Sequence, residues 1–172
     1  MKKMNCLHCG APVLINDVCS ECGLKQEYLV RAWNTSLHYY NQGLNCAKVR
    51  NLTGAEEALK TALYYSKANV DARNLLGLVY YETGQMVEAL AQWVISSNYQ
   101  PDSNPATRYL KVVQGNQNKL NGYDQAAKKY NQTLHYVQQK NYDLALIQLK
   151  RVLSANPHFV NAYLILALIY IQ

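Results

Sequence analysis

From Trp33 to the C-terminus, apolar residues recur at the spacing of helices buried along one face, and strand-like alternation disappears. The pattern also repeats. Gly43 and Gly77 stand 34 residues apart, as do Ala55 and Ala89, Leu59 and Trp93, and Ala62 and Ser96. Further on, Ala145, Leu149, Val152 and Pro157 reproduce the spacing of Ala89, Trp93, Ser96 and Pro101. A period of this length predicts stacked helical hairpins, each burying its apolar face against the next. Residues 70–103 give the clearest unit. Leu76, Gly77 and Tyr80 fall in its first helix, Thr83-Gly84 at the turn and Ala89 and Trp93 in its second helix. Gly84 supplies the helix C-cap conformation, and Pro101 cannot continue a helix. Gly77 and Ala89 are small enough for the two helices to approach closely, with Tyr80 and Trp93 filling the space between units. The first unit, 36–69, has Arg50 at the turn and Lys67 at the proline position. The third, 126–159, keeps Tyr142, Ala145 and Pro157 but has Thr133 in place of the glycine.

Residues 104–125 break the period. Asn104 is placed to cap a helix that opens with Pro105, and Tyr109, Leu110, Val112 and Val113 give it an apolar side. A polar stretch from Gln114 to Asn118 follows, and Asn121-Gly122 reads as a turn. First and second helices must alternate along the stack, yet both 105–120 and 126–139 match a first helix. One long first helix over 105–139, kinked near Gly115 and Gly122, satisfies both; the alternative is an extra helix pair that reverses the stack. From Val160, residues Ala162, Tyr163, Leu166, Ala167 and Tyr170 match a first helix without its second, which leaves an apolar face uncovered. The chain is therefore expected to be the front of a longer protein, unless this helix caps the stack or forms a dimer contact.

The N-terminal segment has a different chemistry. Cys6 and Cys9 form one C-x-x-C pair and Cys19 and Cys22 a second, nine residues further on. Each pair points two sulfurs at one centre, and two such knuckles make a tetrahedral thiolate cage for Zn²⁺. Gly10 and Gly23 follow the pairs, where a positive φ lets the knuckle curl and turn backbone N–H groups toward the sulfurs. Pro12, Val13, Leu14 and Ile15 suit a short hairpin arm, with His8 an exposed neighbour. Disulfides would need an exported chain, and a redox dithiol would need a thioredoxin-like βαβ surround; neither signal is present. Cys46 falls on a helical apolar face and is expected to pack in the core. Residues 4–24 resemble the short zinc-ribbon family, with all four ligand positions matched.

The 34-residue units resemble the tetratricopeptide repeat (TPR) family. Together the resemblances imply an all-α TPR-type helical-hairpin solenoid with a small N-terminal zinc ribbon. The expected divisions are a ribbon over 1–27, two repeats with a lead-in over 28–103, a connector over 104–125, and a third repeat with half of a fourth over 126–172. The family usually binds peptides or helices in a groove lined by first helices, which here would present Tyr40, Leu44, Asn74, Leu78, Tyr81, Tyr130 and Leu134. Tyr40 and Leu44 stand where chaperone-docking members carry a carboxylate-gripping Lys and Asn, so an apolar or amphipathic partner fits better. Tyr80, Tyr136 and Tyr170 are expected to pack between repeats.

Composition narrows the function. Of 172 residues 49% are apolar, which excludes a wholly disordered chain. The longest apolar run, Tyr163 to Ile171, is too short to span a bilayer, and the N-terminus lacks the apolar core of an export signal. A cytoplasmic location is the expectation. The net charge of +6 lies wholly in residues 104–172, which hold eight basic groups against Asp124 and Asp143. That asymmetry keeps a nucleic-acid-binding or regulatory role in view, beside the leading expectation of a non-enzymatic scaffold for a protein or peptide. No phosphate-binding loop or paired carboxylate motif points to an enzyme, and His8, His38, His135 and His158 are scattered. The combination resembles bacterial proteins that join a zinc ribbon to TPR units, some of which carry a membrane segment downstream.

Overall fold

The computed structural model describes residues 6, 9–11, 14–15, 18–115 and 117–171. His8, Pro12, Val13 and Asn116 lie outside them. Two short strands, β1 (Leu14–Ile15) and β2 (Val18–Cys19), pair antiparallel, with Leu14 opposite Cys19 and Ile15 opposite Val18. Eight helices follow among the described residues: α1 (Gln26–Lys48), α2 (Leu52–Tyr65), α3 (Val70–Glu82), α4 (Met86–Tyr99), α5 (Pro105–Gln114), α6 (Gln117–Gln138), α7 (Tyr142–Ala155) and α8 (Val160–Ile171). Helices α1 and α2, α3 and α4, and α6 and α7 pack as hairpins, in the helical-hairpin arrangement of a TPR solenoid.

Local signals explain the helix boundaries. Asn51, Asn69, Asn104 and Asn141 each accept a backbone N–H of the first turn of the helix they precede, at 3.0, 3.0, 3.0 and 3.4 Å. Pro105 opens α5 behind its Asn104 cap, as the sequence predicts. The hairpin turns also share one conformation. Arg50, Gly84 and Lys140 occupy the same place in their repeats, with φ of 61°, 76° and 58°.

Packing follows the small residues. A Cβ on Gly77 would lie 2.7 Å from Trp93 Cδ1, and one on Gly43 would lie 2.7 Å from Leu59 Cγ. These glycines let the large side chain of the second helix rest on the backbone of the first. In the third hairpin the fully buried Thr133 takes the glycine's place, and its hydroxyl donates to the Lys129 carbonyl at 2.9 Å. Around the first two hairpins, Leu59, Leu76, Val79, Tyr80 and Trp93 form one core, which extends to Ala106 of α5. Ala126, Leu149, Val152, Phe159 and Ala162 form another. Tyr80 packs as expected and Tyr136 is partly buried, but Tyr170 is 69% exposed, because no helix covers its side of α8 among the described residues. Cys46 is partly buried against the first core.

The period breaks at Gly115, not at Asn121-Gly122. Both residues of that expected turn lie inside α6, where a Cβ on Gly122 would meet nothing within 4 Å. Helix α5 packs on α4 as the next first helix of the stack, while α5 and α6 scarcely touch each other. Two bonds place the third hairpin. Val160 N–H donates to the Thr83 carbonyl at 3.2 Å, and Asn156 Nδ2 donates to the Gly84 carbonyl at 2.8 Å. The turn after α3 thus meets the loop after α7, where a regular stack would set like turns side by side. An interrupted first helix gives this result: α5 closes the first stack, and α6 carries the third hairpin past its end.

Candidate metal centre and repeat surface

Two near-identical knuckles build the cysteine site. Cys6 N–H donates to the Ala11 carbonyl at 2.7 Å and Gly10 N–H to the Cys6 carbonyl at 2.8 Å. In the second knuckle Cys19 N–H donates to Leu24 at 3.0 Å and Gly23 N–H to Cys19 at 2.9 Å. Gly10 and Gly23 have φ of 80° and 68°, the positive values the sequence predicts. All four sulfurs lie within 4.8 Å of one another. Cys6 Sγ is 3.6 Å from Cys22 Sγ, and Cys9 Sγ is 3.8 Å from Cys19 Sγ. Sulfurs at tetrahedral zinc, with Zn–S bonds of about 2.3 Å, would lie about 3.8 Å apart. No disulfide joins these four cysteines, and their sulfurs stand at the separation a thiolate-bound metal ion needs.

The electrostatics are those of a crowded thiol cluster. Burial pushes the Cys9 thiol up to about 12, against a smaller lowering by the Ala11 N–H. Hydrogen bonding from the Cys22 backbone N–H, opposed by burial, brings Cys19 down to about 7. Burial raises Cys22, while the Leu24 N–H opposes it. Backbone donors therefore do point at the sulfurs. Beneath the cluster Leu29, the fourth residue of α1, is 1% exposed against Cys6 and Cys19. The second knuckle runs straight into α1, so the knob is anchored to the first hairpin.

One contact of the knob has no counterpart in the local sequence. Gly10 lies against the ring of Tyr99 at the end of α4, where an added Cβ would be 2.8 Å from Cδ1. The Arg73 guanidinium carbon sits 5.2 Å from the centroid of the same ring. Arg73 also donates to the Lys67 carbonyl at 2.9 Å and to Gln92 Oε1 at 3.1 Å. The C-x-x-C-G knuckle accounts for Gly10 locally and carries no signal for a partner far along the chain.

The seven repeat-surface residues separate into groups. Tyr40 and Leu44 lie partly buried on α1, and Leu78 and Tyr81 on the neighbouring α3. Tyr81 leans on Trp93, with ring centroids 6.2 Å apart. Burial, and secondarily the charge of Asp71, raises the Tyr40 phenol above its usual value. Asn74 is buried instead: its Nδ2 donates to Asn104 Oδ1 at 2.9 Å and its Oδ1 accepts from Ser96 Oγ at 2.6 Å. It joins α3, α4 and α5 from within. Tyr130 and Leu134 lie on α6, beyond the period break. Tyr130 packs 4.8 Å from Phe159 between ring centroids and lines a cleft of about 280 Å³ with Gly84, Met86 and Tyr123. The three described histidines, His38, His135 and His158, are exposed. No helix among the described residues is long and apolar enough to cross a membrane.

No curated protein and no solved structure matches this chain. A tetratricopeptide repeat family model matches residues 40–94, which run from the middle of α1 to the last turns of α4 and include the Gly43–Leu59 and Gly77–Trp93 contacts.

Proposed function

We propose that this chain is a non-enzymatic interaction scaffold whose α1–α3 surface holds an apolar or amphipathic segment of a partner protein. Tyr40, Leu44, Leu78 and Tyr81 are the binding residues of this proposal. The observation that carries it is their half-buried, half-open state on adjacent first helices, within the segment that resembles TPR units. Repeats of that kind generally mediate protein–protein contacts. Tyrosine suits such a surface, since it adds apolar area and one hydrogen bond at low entropic cost. Asn74 is left out because its amide is consumed inside the stack, and Tyr130 and Leu134 because they sit past the break. Peptides selected from a displayed library on the immobilised protein test this. Tyr40→Ala with Leu44→Ala should weaken the selected peptides about tenfold or more at unchanged helical content. Equal binding by wild type and variant would refute it.

The same proposal assigns Cys6, Cys9, Cys19 and Cys22 to one structural Zn²⁺. The sulfur spacing and the all-thiolate donor set support that metal, and four protein ligands leave no open position for catalysis. A segment this small cannot bury enough surface to fold unaided, so the ion would supply its folding energy.

The basic C-terminal third favours a second reading, binding to an anionic partner such as nucleic acid. Among the described side chains of 104–172, which leave out Lys119, only Lys128 is ion-paired, with Asp124 at 2.7 Å. Binding of this type would weaken steeply with salt. A gel shift that shows no complex at low ionic strength removes it.

A further inference from the structure

We infer that the cysteine knob is a clasp on the repeat array: metal loading and the packing of the end of α4 are one coupled equilibrium, joined through Gly10 and Tyr99. The inference rests on the metal assignment above and adds what the loaded knob does. Its first support is steric. Gly10 meets the Tyr99 ring so closely that even a methyl group would collide with it, while Gly23, the equivalent residue of the other knuckle, has nothing within 4 Å of its Cβ position. The two knuckles share backbone hydrogen bonds and positive φ, so only the first is shaped to receive a neighbour.

The second support is where the contact leads. Tyr99 is the last residue of α4, and its ring also lies beneath Arg73, the side chain that bonds Lys67 in the loop before α3 and Gln92 on α4. The knob is held to α1 through Leu29 at one side and reaches the second hairpin at the other. It therefore bridges both ends of the first two repeats. A segment that folds only with its ion docks only with its ion, so docking energy adds to the apparent metal affinity. By the same linkage, loss of the ion releases the end of α4.

Zinc affinity of the full chain, measured by competition with a chromophoric chelator, tests this. Gly10→Ala and Gly23→Ala carry the same backbone strain, but only the first collides with Tyr99. The clasp predicts that Gly10→Ala weakens zinc by about tenfold more than Gly23→Ala does. In a Tyr99→Ala background the two glycine variants should cost the same. Hydrogen exchange of residues 93–100 should also quicken when zinc is stripped from the wild-type protein. Equal effects of the two variants in the wild-type background, with exchange in 93–100 unchanged by zinc, would overturn the clasp while leaving the metal site standing. A chain that takes up no zinc would overturn both.

Discussion

At the scale of single residues, the packing of the hairpins turns on where a side chain is absent. Gly77 and Gly122 are both helical glycines, yet their surroundings are opposite. Alanine at Gly77 would drive into the buried Trp93 ring, so Gly77→Ala should destabilise by about 2 kcal/mol or more. Alanine at Gly122 meets open space, so Gly122→Ala should stabilise by about 0.5–1 kcal/mol through helix propensity. Urea denaturation of the pair checks both signs. Lys140 offers a complementary case. It holds φ of 58° at a turn where the second repeat uses Gly84. Lys140→Gly should therefore stabilise by up to about 1 kcal/mol, and a loss of stability would show that the lysine is held by something other than backbone geometry. Two packed phenols, one buried and one partly buried, give a pH signature. Tyr80 and Tyr130 are pushed above the ordinary value of 10.0, chiefly by burial. The unfolded state then loses its phenolic protons first as pH rises. Stability from these groups is complete below pH 10 and declines above it, which denaturation at stepped alkaline pH would show.

At the scale of elements, the junction of α3, α4 and α5 depends on three small polar side chains. Asn104 caps α5 and also donates to Ser96 Oγ at 3.0 Å, while Asn74 bonds both. Asn104→Ala would remove the cap and leave the buried Asn74 Nδ2 without its acceptor, at a cost of about 2–3 kcal/mol. The cap itself was legible, since Asn-Pro ahead of an apolar run is a local signal. Asn74 was not. Its place in the period matches that of Tyr40 and Tyr130, so repeat register alone assigns it to the binding surface. Only the packing of α5 shows that the amide is covered. The break in the stack was half legible for a similar reason. Parity required one long or kinked first helix over 105–139, or an extra helix pair, where the chain forms two separate helices; the turn chemistry of Asn121-Gly122 competed with Gly115, and helix continuation prevailed at the former.

At the scale of the whole molecule, the described chain has two main helical cores joined at the α3–α4 turn and the α7–α8 loop, with a metal-type knob on the first. Period and small-residue spacing made the hairpins readable, and the double C-x-x-C made the knob readable, because both signals are local or regularly repeated. The contact of Gly10 with Tyr99 and that of Gly84 with His158 and Phe159 were unreadable, because each joins segments with no shared register. Two cores sharing a small junction should not unfold as one unit. Leu59→Ala and Leu149→Ala, each costing about 2–5 kcal/mol, should lower different parts of the denaturation profile. A single transition shifted equally by both would contradict the division.

The central functional proposal is that the open faces of α1 and α3 hold a partner's peptide segment. Hydrogen exchange with and without a library-selected peptide tests it most directly. A peptide seated on these faces should slow exchange in residues 37–48 and 74–82, with little change in α7. Protection confined to residues 104–172, or none anywhere at saturating peptide, would contradict it.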